Sequence, residues 1–244
     1  MRVVGGTVAP ADKYPSVAAI VRSDISGVTQ VCGGVILTQR HILTAAHCFK
    51  KPTTFLVNFK NYKVRVGSTL VHTGGSEHRI NLVMFHPKFH LHTTENDLAI
   101  MRTETTIAYS KSVQPATIPS YTYRLRDNES MWAVGWGETS QGGYESEQLR
   151  HVEVKVINQN TCKTLYKHLR PIDDNALCAG WLNGGGHDQC QRDSGSPLYH
   201  KGVVVGIASI GEGCGKPEFP GICVRLSRYA SWIRDMTKTG NFKS

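Results

Sequence analysis

The sequence predicts an all-β architecture of one or two barrels. Apolar runs are short, rich in β-branched residues and separated by Gly, Pro, Asn or Asp, as in strands joined by tight turns. Helical periodicity is confined to two short windows. The chain has 244 residues and 24 glycines; that length fits one large all-β unit or two half-size ones, and the glycines suit tight turns.

The strand candidates, in order, are Ser16 to Val21, Gly34 to Leu37, Phe55 to Phe59, Ile80 to Phe85, Leu98 to Met101, Met131 to Gly135, His151 to Val156 and Gly202 to Ser209. In the seventh, His151-Val152-Glu153-Val154-Lys155-Val156 alternates with period 2, the signature of a half-buried strand. Asn158 to Tyr166 predicts one short helix. Arg228 to Met236 predicts another, with Tyr229, Trp232, Ile233 and Met236 at helical spacing.

The hydrophobic fraction is 40% and the charged fraction 19%. That is enough apolar material for a core, which excludes a disordered chain. No apolar run approaches the roughly 20 residues of a membrane-crossing helix, so no membrane partner is expected. Lys plus Arg number 28 and Asp plus Glu 19, a net charge of +9. The cations are scattered, as at Lys50-Lys51, Lys60 to Arg65 and Lys163 to Arg170, and no nucleic-acid motif accompanies them. A solvated basic surface is expected, with no nucleic-acid partner. Met1-Arg2 leads straight into Val3-Val4-Gly5-Gly6, so any secretory segment is expected to have been removed.

Seven cysteines are an odd number. Cys32 and Cys48 bracket one apolar strand pair, Cys162 and Cys178 a polar segment, and Cys190 and Cys214 another strand; Cys223 is left over. Six paired and one odd cysteine point to an oxidising compartment, with the connectivity left open by spacing. Asn128-Glu129-Ser130 is a glycosylation sequon compatible with secretion.

Three segments carry chemistry: Leu43-Thr44-Ala45-Ala46-His47-Cys48, Asn96-Asp97-Leu98-Ala99-Ile100 and Cys190-Gln191-Arg192-Asp193-Ser194-Gly195-Ser196-Pro197. A hydroxyl is a weak nucleophile until a base takes its proton, and imidazole is the base suited to neutral pH. The imidazole in turn needs a carboxylate to fix its tautomer. In this order and in these contexts, the sequence resembles the trypsin/chymotrypsin-like serine protease family (S1). Val3-Val4-Gly5-Gly6, Cys32-Gly33-Gly34, Gly135-Trp136-Gly137, Ser209 and Pro220-Gly221 agree with it, and the match runs from Val3 to near Ile233. Gln148-Leu149-Arg150-His151-Val152, Cys162-Lys163-Thr164-Leu165-Tyr166 and Asn183-Gly184-Gly185-Gly186 are most similar to the mite group 3 allergen trypsins.

The resemblance implies two six-stranded antiparallel β-barrels with a C-terminal helix. It places a protease domain over 3–244, with barrels at about 15–110 and 120–228 and the helix at about 228–237; residues 1–2 are a propeptide or an added remnant. It pairs Cys32 with Cys48, Cys162 with Cys178, and Cys190 with Cys214. It makes His47 the general base, Asp97 its orienter and Ser194 the nucleophile, with the N–H groups of Arg192 and Ser194 as the oxyanion hole. Asp188, Ser209, Gly211 and Gly221 become substrate-binding residues selecting Arg or Lys. A cut after Arg2 would free the Val3 amine to pair with Asp193.

Several residues depart from the family pattern. Arg192 and Ser196 each replace a glycine of the nucleophile signature. Ile210 replaces a tryptophan at the pocket mouth and Cys223 a tyrosine beside it, and Tyr199 adds a ring five residues past Ser194. Tyr199, Ile210 and Cys223 are therefore expected to occlude the pocket. The expected function is an inactive or impaired homologue, like the inactivated scabies mite paralogues, that binds target proteins; the alternative is an active secreted endopeptidase cleaving after Arg or Lys. Ser68 stands where a calcium ligand would be expected and Glu77 alone is too little oxygen charge, so no metal or other cofactor is expected. Protein substrates or bound target proteins are the expected partners, and a monomer the expected state.

Overall fold

The computed structural model describes residues 6–10, 12–25, 27–49, 59–138, 142–143, 146–186 and 193–238. After a short β1 (Thr7–Val8), the first barrel uses β2 (Val17–Asp24), β3 (Gly27–Thr38), β4 (His41–Thr44), β5 (Tyr62–Val66), β6 (Ser76–Phe85) and β7 (Ala99–Thr103). These close in the order β2-β3-β4-β7-β6-β5. The second barrel uses β8 (Ser130–Gly135), β9 (Arg150–Val156), β10 (Ala176–Gly180), β11 (Pro197–His200), β12 (Val203–Ile210) and β13 (Gly221–Arg225). It runs β9-β10-β13-β12-β11-β8 and closes through a β8–β9 pairing, with β1 added on the outside of β9. Every ladder is antiparallel. The two six-stranded barrels are those that the family resemblance implies.

Closure leaves each barrel strand paired on both sides and fills the interior with one face of every strand. Ile20, Ile36, Ile42, Val64 and Met101 fill the first barrel, all fully buried. Met131, Val152, Val154, Leu177, Leu198 and Val205 fill the second. On β9 the period-2 pattern holds: Val152, Val154 and Val156 are buried while Glu153 and Lys155 face outward. Their side chains pair at 2.8 Å on that outer face.

Strands that the alternation missed lack it or carry charge. All four residues of β4 and of β11 are buried, so neither shows a polar face. In β5, Lys63 and Arg65 read as surface charge, yet both reach Glu77 on neighbouring β6, at 2.8 and 2.6 Å. The Phe55 to Phe59 candidate lies outside the described residues except for Phe59, which opens a short 3-10 turn to Asn61.

α1 (Gln159–Tyr166) is capped by Asn158, whose side-chain oxygen accepts from the backbone N–H groups of Asn160 and Thr161. α2 (Ala230–Thr237) buries Ile233. One disulfide joins Cys32 to Cys48, and another joins Cys162 of α1 to Cys178 of β10, each across 16 residues. Cys214 is also disulfide-bonded; its expected partner Cys190 lies outside the described residues. Cys223 is a buried thiol.

Several histidines are enclosed as neutral rings. His41 bonds Thr38 at 2.8 Å, and His78 bonds Ser76 at 3.0 Å and Thr105 at 2.8 Å. Burial lowers both from the ordinary value of 6.5, and does the same to His151 and His200. A histidine depressed in the fold contributes stability above its unfolded value and loses it as pH falls through the folded value. The denaturant midpoint is therefore expected to drop between about pH 7 and about pH 5, before carboxylates protonate. An unchanged midpoint would remove the buried-histidine account.

Candidate active site

β4 delivers His47 on a 3-10 turn, Ala46–Cys48, that the Cys32–Cys48 bridge ties back to β3. Asp97 immediately precedes Leu98 and β7 and is fully buried. Its neighbour Asn96 has a left-handed backbone, φ 52°, the region Asn tolerates better than most side chains. The Asn96 side chain holds that turn by donating to the Lys88 carbonyl at 3.0 Å and accepting from the Tyr229 hydroxyl at 2.9 Å.

The Asp97 carboxylate is surrounded by donors. One oxygen accepts the backbone N–H of His47 at 2.9 Å. The other meets His47 Nδ1 at 2.6 Å and accepts from the Ser209 hydroxyl at 2.5 Å. A ring that donates through Nδ1 keeps Nε2 as its basic nitrogen. A carboxylate in this position also stabilises the charged ring once Nε2 takes a proton.

Ser194 sits in a tight loop that leads into β11. Its carbonyl accepts the Gly33 N–H at 2.8 Å, and Ser196 N–H bonds the Asp193 carbonyl at 2.8 Å. Gly195 has φ 81°, and a Cβ there would lie 2.3 Å from Thr44 Oγ1 and 2.4 Å from the Gly33 carbonyl. Only glycine fits both the backbone and the space. The Ser194 hydroxyl donates a long 3.4 Å bond to the Ser209 carbonyl, so the reactive rotamer needs a rotation toward His47. The nucleophile–imidazole bond is commonly long or poorly aligned before substrate arrives.

Asp193 is buried and accepts the Gly137 N–H at 2.9 Å. A Cβ on Gly135 or Gly137 would come within 2.2 or 2.4 Å of its carboxyl group, which explains the Gly-Trp-Gly spacing. The expected partner amine, on Val3, lies outside the described residues.

His47 and Ser194 open onto a cleft of about 690 Å³ that Ser209, Ile210, Gly211 and Gly221 also line. A Cβ on Gly211 would lie 3.3 Å from the Gly213 carbonyl oxygen and 3.9 Å from the Gly221 Cα, so a side chain there would crowd this wall of the cleft. Asp188 and Arg192 lie outside the described residues.

A family model described as Trypsin matches residues 3–233. The chain belongs to the trypsin family. "Trypsin, alkaline A" of Manduca sexta is 49% identical over 237 residues, covering 96% of this chain and 90% of that one. "Trypsin CFT-1" of Choristoneura fumiferana is 44% identical over 235 residues, covering 96% and 90%. Among solved structures, neuropsin, a serine protease expressed in the limbic system of mouse brain, superposes with a TM-score of 0.83 at 29% identity, covering 96% and 99%. Trypsin-family serine proteases act on protein substrates.

Within this trypsin fold, two residues expected to occlude the pocket stand elsewhere. Tyr199 is buried on the far side of β11, its hydroxyl 2.7 Å from Ser16 Oγ and its ring 5.0 Å from that of Tyr14. β11 runs away from the nucleophile loop and pairs with β8 at Trp132, which carries the ring off the cleft. Cys223 packs with Met131, Leu177 and Val205 inside the second barrel; it lies two residues further along β13 than Gly221, between β10 and β12. Ile210 does line the cleft.

Ser209, expected among substrate-binding residues, also bonds Asp97, and Gly33 is a structural partner of Ser194 whose only sequence signal was the Cys32-Gly33-Gly34 run. Glu77, the one carboxylate weighed as a calcium ligand, is held below the usual range by its Lys63 hydrogen bond, with Arg65 adding to the effect. Two side-chain cations already take its oxygens, so a divalent ion does not fit. Among the described residues, no group of three or more His, Cys, Asp or Glu could hold a metal, and no helix is long and apolar enough to cross a membrane.

A Cβ on Gly33 would lie 1.9 Å from Ser196 Oγ and 2.9 Å from the Ser196 Cα. Gly33→Ala is expected to cost about 1–3 kcal/mol through overpacking and to slow any reaction at Ser194. Thermal unfolding of Gly33→Ala, and of Gly33→Ala with Ser196→Gly, tests this: the pair is expected to recover part of the loss.

Proposed function

We propose that the chain is a secreted serine endopeptidase that cleaves after Arg or Lys. One observation carries this reading: a buried carboxylate holds His47 at 2.6 Å beside a serine at the mouth of an open cleft. Ser194 Oγ attacks the scissile carbonyl as His47 Nε2 takes its proton. His47 then gives the proton to the leaving amine, and water repeats the sequence on the acyl-enzyme. The N–H groups of Arg192 and Ser194 hold the oxyanion, and Asp188 meets the basic side chain between Gly211 and Gly221. Freed by a cut after Arg2, the Val3 amine pairs with Asp193 and orders the loop. The unit runs over 3–244, with barrels at about 15–110 and 120–228, and acts as a monomer on protein substrates.

A second reading has one specific support. Arg192 stands where the family keeps a glycine beside the oxyanion, and losing one such donor costs about 10²–10³ in rate. On this reading, the likeness to mite trypsins extends to their inactivated paralogues, and the chain binds target proteins without cutting them.

The chain with a free Val3 amine, given a fluorophosphonate probe and an Arg-amide substrate, separates the two. Labelling at Ser194 with turnover supports the endopeptidase; silence in both assays supports the binding protein. If active, Ser194→Ala and Asp97→Asn are each expected to lower kcat by about 10⁴ or more. If silent, Arg192→Gly is expected to restore turnover.

A further inference from the structure

Tyr199 helps to build a second cavity of about 600 Å³. It shares no lining residue with the catalytic cleft. Its walls come from both barrels: the segment before β2, the connection at Pro115 to Thr117, β8 and the β11–β12 turn. Tyr199 and Trp132 are cross-strand partners on β11 and β8, and the Tyr14 ring lies 5.0 Å from the Tyr199 ring.

The polar ends of the two tyrosines are already engaged. The Tyr14 hydroxyl bonds His151 Nδ1 at 2.8 Å and the Tyr199 hydroxyl bonds Ser16 at 2.7 Å. Burial raises both phenols above their ordinary value, so they stay neutral. With Pro15, Pro115 and Trp132 they form an apolar wall.

The rim carries charge. Glu129 is spoken for: it accepts the Arg126 N–H at 2.9 Å and lies 3.7 Å from His200 and 3.8 Å from Lys201. Lys13 differs. Its ammonium lies 4.6 Å from the Trp132 ring centroid and 5.5 Å from that of Tyr14, and it meets no carboxylate among the described residues. A carboxylate partner would compete well for an ammonium held on aromatic faces. With Lys13 and Lys201 against Glu129, the wall carries one net positive charge, which a monoanion neutralises.

We propose that this cavity binds a small aromatic monocarboxylate, with its ring against Trp132 and Tyr14 and its acid group on Lys13. Ring stacking supplies apolar contact, and the ammonium moves from the Trp132 face to the ligand oxygens. The proposal does not depend on whether the chain cleaves peptides.

Calorimetric titration of the whole chain with 1-naphthoate tests it. One saturable site with a Kd on the order of 1 mM is expected, weakening as salt rises. Trp132→Ala is expected to weaken binding by about 10-fold or more. Lys13→Gln, an exposed change that leaves the fold intact, is expected to weaken it by about 3- to 10-fold and to flatten the salt dependence. Lys88→Gln is expected to leave it unchanged, and 1-naphthylmethylammonium to bind at least about 10-fold more weakly. The proposal is overturned if naphthoate fails to saturate, if Lys13→Gln binds as tightly as the parent chain, or if the ammonium analogue binds equally well.

Discussion

The architecture turns on one buried charge. Asp97 has no exposure to solvent, and an isolated carboxylate in such a place would cost several kcal/mol. Its donors come from both barrels: two from His47, after β4 of the first, and one from Ser209, on β12 of the second. Meeting that requirement therefore ties the two barrels together at the site. It also aims the imidazole. The same bonds that make the carboxylate tolerable turn Nε2 toward the cleft, so packing and chemistry are satisfied by one arrangement.

A second junction lies on the nucleophile loop. Gly33 of β3 donates to the Ser194 carbonyl, and Gly195 donates to the Ala208 carbonyl of β12, both at 2.8 Å. The serine is thus pinned between barrels by its backbone while its side chain remains free to rotate. Loops that carry function are commonly positioned this way by a rigid scaffold. Asp193 adds a further tie, through Gly137 of the segment after β8.

Much of this was legible in the chain because each piece has a local signature. The alternation in β9, the helical spacing of Tyr229, Trp232 and Ile233, and the contexts of His47, Asp97 and Ser194 are all short-range patterns. Strands enclosed on both faces, such as β4 and β11, carry no such pattern and were missed. The direction of Tyr199 was also illegible. Counting five residues from Ser194 says nothing about which side of β11 the ring takes; the partners that decide it, Ser16 and Tyr14, are more than 180 positions away in sequence. Cys223 shows the same limit, since nearness to Gly221 along the strand does not place it in the cleft.

The Gly33–Ser196 contact bears on how such a chain can change over generations. At the second of these positions a hydroxymethyl group fills the gap and leaves no room for even a methyl opposite. Two sites far apart in the gene are thereby tied: the serine is tolerable only while its counterpart has no side chain. Reversal at the second would not free the first, because the backbone there still lies 2.9 Å from any added carbon; the small gap behind the nucleophile therefore keeps one position bare whichever residue faces it.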